Sequence, residues 1–222
     1  MTSNALYKVT GAALIGSFVL SLAGGVSHPI VDGQSHSVES LTAAASPWAQ
    51  LLIYFGAIAL MVGLPGMFVK LKGHVGRIGL IGIGLYFIGN ALSAQGHLVV
   101  EALVAPAIAE DPAARHLIPA DGSIIDSPLF MTFQVVGGLI LVLGLILTGV
   151  GLFRSGFVPR WVGVLAIVGG LLTFVPFPEI PVFTGLLIEL PRGLTVAVVG
   201  YLMWRDAARA EAEPRELVGV SR

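Results

Sequence analysis

Residues 182–204 read VFTGLLIELPRGLTVAVVGYLMW. About 20 mostly apolar residues suffice to cross a bilayer core roughly 30 Å thick. This stretch meets that length and still carries an acid, Glu189, and a base, Arg192. A charge at membrane depth is costly, so it needs a partner, a water-filled cavity or a task. The pair is three residues apart on a helix, hence on one face and able to meet. Pro191 stands between the two, where it removes a backbone donor and frees a carbonyl in the turn above.

Working outward, five further apolar stretches resemble this one, at about 7–26, 48–69, 77–99, 129–153 and 161–178. The 222-residue chain is 55% hydrophobic and only 11% charged, with a mean hydropathy of +0.91. A soluble domain carries roughly 25% charged residues, so this chain cannot coat a water-facing surface and the bilayer is its main solvent. The predicted fold is all-α: a six-helix transmembrane bundle over 1–204 with a tail at 205–222. A net charge of -1 gives no reason for a nucleic-acid partner. The absence of cysteine excludes disulfides, thiolate metal sites and a catalytic thiol.

The basic residues set the expected orientation. Lys8, Lys70, Lys72, Arg77, Arg154, Arg160, Arg205, Arg209, Arg215 and Arg222 fall on one side of an alternating six-span chain, whereas the opposite loops hold Arg115 and most of the acids. The positive-inside rule then places both termini in the cytoplasm of a multi-pass cell-membrane protein, with Trp48, Trp161 and Trp204 at the interfaces. A rival reading takes Lys8, the first apolar stretch and Ser21-Leu22-Ala23 as a cleavable signal peptide, leaving five spans.

Helix rise, about 1.5 Å per residue, converts sequence position into depth. Glu189 and Arg192 fall roughly 12 and 16 Å below the outer end of the last span, and Asn90, Gln134 and Tyr54 fall about 10 Å below the same surface. Polar groups in lipid face the bundle interior, so these five residues are candidates to line one ligand site. Asn90, Ala94, His97 and Glu101 follow at helical spacing and share a face. His97 and Glu101 complete the candidate set, and their i, i+4 spacing can chelate a metal. His28, His36 and His116 are expected on the same side. For haem, a second histidine at matched depth in another span is wanted, and only His28, at a helix end, comes near. There is no HExxH motif. Water-exposed interfacial histidine is therefore the default, and neither a metal nor a cofactor is assigned. Glu101 and Glu179 read as solvated carboxylates at outer helix ends.

Gly66-Met67-Phe68 with Arg77-Ile78-Gly79 is echoed by Gly151-Leu152-Phe153 with Arg160-Trp161-Val162-Gly163. A duplicated helix pair and convergent membrane composition both account for this. The stretch LFRSGFVPRWVGVLAIVGGLL, residues 152–172, carries Arg154, Ser155, Pro159, Arg160 and Trp161. It resembles the signature turn of a family of uncharacterised multi-pass bacterial membrane proteins, a domain of unknown function, in which Arg-Ser-x-x-x-Pro-Arg-Trp joins two apolar helices. The resemblance covers about a tenth of the chain and implies no catalytic residues.

Three functions are compatible with these features. The first is binding or moving a small or amphipathic molecule through an outward-facing polar cavity. The second is a membrane-embedded enzyme acting on a lipid or isoprenoid. The third is an accessory membrane subunit without a ligand. Membrane lipids are the expected surroundings, and a homo-oligomer or a larger membrane complex is compatible with each reading.

Overall fold

The computed structural model describes residues 3–119, 123–173 and 175–212. Residues 213–222 of the expected tail, with Arg215 and Arg222, lie outside the described residues, as does Asp121. The chain is all-helical. Its principal helices are α1 (Ser3–Ser27), α2 (Val38–Leu41), α3 (Ser46–Leu71), α4 (Gly76–Ser93), α5 (Ala105–Glu110), α6 (Pro128–Ser155), α7 (Arg160–Leu172) and α8 (Phe183–Ala212). Among the described residues five helices are long and apolar enough to cross a membrane: α1, α3, the run Gly76–Glu110, α6 and α8.

Two expected boundaries move, each for a local reason. The third span does not end near 99. Two π-turns, Ala94–Leu98 and Val100–Val104, carry α4 without a break into α5. Pro106 has no N–H and its ring crowds the carbonyl four residues earlier, which favours a widened turn just before it. The sequence of 100–128 suggests an outer loop with a short helix near 101–110; the structure has helix there, joined to α4, so the connection to α6 is 111–127. The fifth stretch, expected over 161–178, is helical only to Leu172, for 13 residues. Pro176, Pro178 and Pro181 hold the chain after it out of helical geometry.

Helix ends follow the sequence. Ser127 caps α6 by accepting from the Phe130 amide at 3.4 Å, with Pro128 in the first turn. Gly156 ends the same helix at φ 65°, a left-handed conformation natural to glycine. Next to it, Ser155 Oγ donates to Leu152 O at 2.8 Å and accepts from the Phe157 amide at 3.1 Å. The Arg154–Trp161 turn is thus closed by its own side chains.

Small residues set the packing. α1 lies between α3 and α8, α4 lies against α6, and α7 bridges α6 and α8. At the α1–α8 crossing Gly11 faces Gly200 and Gly25 faces Gly185, so closely that a Cβ at Gly200 would lie 2.6 Å from Gly11 O. Gly79 and Gly151 meet likewise between α4 and α6. Such contacts let helix backbones approach in lipid, where hydrophobic burial gives no net drive to associate. The main core cluster joins Leu14, Leu64, Met67, Leu71, Leu152, Val162 and Met203. Large apolar side chains such as Phe55, Ile81, Leu139, Leu143 and Leu171 point outward and are exposed, an inverted surface that suits acyl chains rather than water. At the end of the bundle holding the described termini, Lys8 pairs with Glu211 at 2.6 Å and Lys70 with Asp206 at 3.3 Å.

Candidate functional site: a histidine–carboxylate cluster and an ion pair on one cavity

Glu189 and Arg192 meet as the helical spacing requires. Arg192 Nε donates to Glu189 Oε2 at 2.8 Å, and its Nη2 contacts Oε1, giving a bidentate pair. Glu189 is 4% exposed. Space for it comes from Gly25 on α1, where a Cβ would press on Glu189 Cγ. Below Pro191, Thr195 Oγ1 donates to the Pro191 carbonyl at 2.9 Å.

This pair divides two hollows. A small one of about 60 Å³ is lined by Ser17, Ser21, Tyr86, Asn90, Glu189 and Arg192, among others. A larger cavity of about 380 Å³ lies toward the end remote from the described termini. Its polar wall includes His28, His36, His97, Glu101, Gln134 and Glu179 as well as the ion pair, and its apolar wall includes Ile53, Leu98, Leu141 and Ile188.

At the head of the larger cavity Glu101 is fully buried. The expectation of a solvated carboxylate is corrected here, and the reason is tertiary. Segment 28–45 folds back across the bundle end instead of standing in water. Ser40 is fully buried and pins that segment, with its Oγ donating to Gln34 O at 2.6 Å and accepting from the Val31 amide at 3.1 Å. Leu41 packs with Ala105, Ala109 and Ile124 into a satellite apolar cluster. The returning segment delivers two histidines to Glu101. His28 Nε2 lies 2.7 Å from Oε1 and His36 Nε2 lies 3.4 Å from the same oxygen. His97, on the first π-turn, brings Nε2 to 3.1 Å from Oε2. π-turns are uncommon and recur at functional sites; here they carry both His97 and Glu101.

The ring nitrogens pointing away from Glu101 are also engaged. His28 Nδ1 meets Pro29 O at 2.9 Å, and His97 Nδ1 meets the side-chain amide of Gln134 at 2.9 Å. Ser35 Oγ lies 3.5 Å from His36 Nδ1 and donates to Glu179 Oε1 at 3.1 Å. Both nitrogens of His28 therefore face oxygen acceptors. Within the cavity wall Glu101 Oε2, Glu179 Oε2 and Gln50 Oε1 are buried and accept no hydrogen bond from the protein.

Of the seven candidates from sequence, Glu189, Arg192, Gln134, His97 and Glu101 line the larger cavity. Asn90 is placed in the smaller hollow and its Nδ2 donates to Ala57 O at 2.9 Å, tying α4 to α3. Tyr54 is not brought to either hollow; it packs beside Ile53, Ala57, Ala94 and Leu98. The structure adds His28, His36 and Glu179 to the site, and the clustering of four of the five histidines on one expected side is the sequence signal that points to the first two. Comparison with protein-family models, with curated proteins and with solved structures found no match.

Proposed function

We propose that this protein is a six-pass membrane protein that binds a small amphipathic molecule with a cationic or hydrogen-donating head in the cavity between the Glu189–Arg192 pair and the Glu101 cluster. The observation that carries this reading is the shared cavity itself, about 380 Å³ in volume, with apolar side chains along one wall and ionisable groups along the other. Pockets of about 300–1,000 Å³, mostly apolar with a few convergent polar groups, are the usual form of small-molecule sites. In that lining three carboxylates, Glu101, Glu179 and Glu189, face one guanidinium, Arg192. A cationic head is favoured by that balance, and an anionic one is opposed.

Topology supports access from outside. The Lys8–Glu211 contact puts the start of α1 beside the end of α8, in keeping with an even number of passes. With α7 counted, there are six. Its 13 residues rise about 20 Å, most of a hydrocarbon core roughly 30 Å thick. The basic loops then lie at the end holding the termini, which the positive-inside rule assigns to the cytoplasm, and the cavity lies toward the outer face. The Arg154–Trp161 turn anchors the cytoplasmic side, in keeping with the bacterial family its sequence resembles.

In this account Glu189 sets the charge of the inner end, Arg192 holds Glu189 in place, and Gln134 orients the outer wall through His97. The test is a fluorescence titration of the detergent-solubilised protein with a dansyl-labelled alkylammonium. Wild type gives saturable single-site binding, and Glu189→Gln loses it while keeping its helical content and elution volume. Equal binding by folded Glu189→Gln, or loss of the bundle in that variant, would assign the pair a structural role alone.

A further inference from the structure

We infer that His36, His97 and Glu101 form a binding site for a zinc-class divalent transition metal, with His28 and Gln134 positioning its ligands. The site stands on the cluster alone and does not require the organic ligand proposed above.

The first support is geometric. One ligand atom from each of the three residues lies within 4.8 Å of the other two. Zinc takes nitrogen and oxygen ligands at about 2.0–2.2 Å in a tetrahedron, whose edges are then roughly 3.3–3.5 Å long. His97 Nε2 lies 3.1 Å from Glu101 Oε2 and His36 Nε2 lies 3.4 Å from Oε1, so each imidazole stands near that edge length from one oxygen of the carboxylate. The 3.1 Å contact is not aligned as a hydrogen bond, and Glu101 Oε2 accepts none. A buried carboxylate oxygen with spare lone pairs, close to an imidazole nitrogen, is poorly satisfied by the protein alone and well satisfied by a shared cation.

The second support lies behind the ligands. A metal-binding imidazole is normally held by a hydrogen bond at its other nitrogen, and a binding carboxylate is itself hydrogen-bonded. Gln134 lies 2.9 Å from His97 Nδ1, and metal binding at Nε2 puts the ring proton on Nδ1, so the amide turns to present its oxygen there; Ser35 lies beside His36 Nδ1, and His28 reaches Glu101 Oε1 while its own Nδ1 is fixed on Pro29 O. The ligands come from a returning loop and two successive π-turns, and packing of Ser40 and Leu41 holds the loop in register.

The donor set selects the metal. Two imidazoles with one carboxylate suit zinc and its neighbours, whereas calcium and magnesium call for an oxygen cage. Three protein ligands leave a fourth position, and all three residues line the cavity. Open positions of this kind belong to sites that exchange or activate a bound molecule, as opposed to closed structural zinc.

The test uses the full chain without a histidine tag, in dodecyl maltoside and stripped with chelator. Zn²⁺ is titrated by calorimetry and Co²⁺ by visible absorption. Wild type binds one equivalent of Zn²⁺, and Co²⁺ gives the intense bands of a four-coordinate site. His36→Ala and His97→Ala each weaken binding by more than about 100-fold, and His28→Gln by about 10–100-fold, the usual effect of removing a supporting partner. His116→Ala, on the exposed loop, binds as wild type. Failure of wild type to bind Zn²⁺ saturably would overturn the inference, as would wild-type affinity in folded His36→Ala and His97→Ala. Glu101→Gln is expected to lose the site too, but the histidine variants decide the matter, because their side chains are partly exposed. A negative outcome here leaves the alkylammonium titration to be judged separately.

Discussion

His97 Nε2 lies 3.1 Å from Glu101 Oε2, one turn further along the same helix, and that carboxylate is fully buried at the head of a cavity. Burial of a carboxylate without compensation is strongly unfavourable. Three imidazoles converge on this one because something must balance it.

If a metal shares that balance, it also stabilises the fold. A ligand that binds only the folded state adds about 2.7 kcal/mol at 100 times its dissociation constant. Thermal melting of the stripped protein is predicted to shift upward on adding Zn²⁺ and to return on adding chelator. The shift is absent in His97→Ala. An equal shift in that variant would place the zinc elsewhere.

The Glu189–Arg192 pair is predicted to be asymmetric. Glu189 is 4% exposed, whereas the Arg192 side chain is 23% exposed and faces the cavity. Removing Arg192 strands a buried carboxylate, which costs about 3–5 kcal/mol when a buried pair is broken. Removing Glu189 leaves a guanidinium that reaches the cavity, at a smaller cost. Melting in detergent should therefore rank Arg192→Gln well below Glu189→Gln, with the double variant partly restored. Equal losses would contradict the difference in exposure.

Helix approach supplies a third prediction. A methyl group at Gly200 meets the Gly11 carbonyl at 2.6 Å, and neither backbone can yield without parting α1 from α8. Gly200→Ala is expected to cost about 1–3 kcal/mol, the usual range for overpacking. At Gly16 a Cβ meets nothing within 4 Å, so Gly16→Ala gains helix propensity of up to about 1 kcal/mol. Paired melting curves check both signs at once.

Orientation is accessible because the chain contains no cysteine. Ser35→Cys introduces a single thiol on the cavity wall, and Gly73→Cys one in the exposed turn before α4. In intact cells a membrane-impermeant maleimide should label the Ser35→Cys protein directly and the Gly73→Cys protein only after permeabilisation. The reverse pattern would invert the proposed topology.

Five apolar helices long enough to cross a membrane were legible because composition and length suffice for them, and Glu189 with Arg192 was legible because helical spacing fixes which residues can pair. Which way a side chain faces was not. The spans are apolar all round, so no stripe marks an inner face, and Tyr54, expected in the site, lines neither hollow. Asn90 reaches the interior but its amide is engaged by Ala57 O. The returning loop was the least legible part. His36 reaches Glu101 because Ser40 ties the loop to itself and Leu41 packs on Ala105, Ala109 and Ile124, far along the chain, and no local pattern encodes that contact. Helix near 101–110 was legible, but its unbroken join to α4 was hidden, because Pro106 reads as a helix breaker when a π-turn can absorb it.

The most direct measurement of the central claim is the rate of maleimide modification of the solubilised Ser35→Cys protein, with and without saturating hexylammonium. The account predicts that hexylammonium slows this labelling severalfold, that the same concentration leaves the labelling of Gly73→Cys unaffected, and that adding Glu189→Gln to Ser35→Cys removes the protection. An unchanged rate in the Ser35→Cys protein would contradict it, because a molecule bound in the cavity must shield the thiol on its wall.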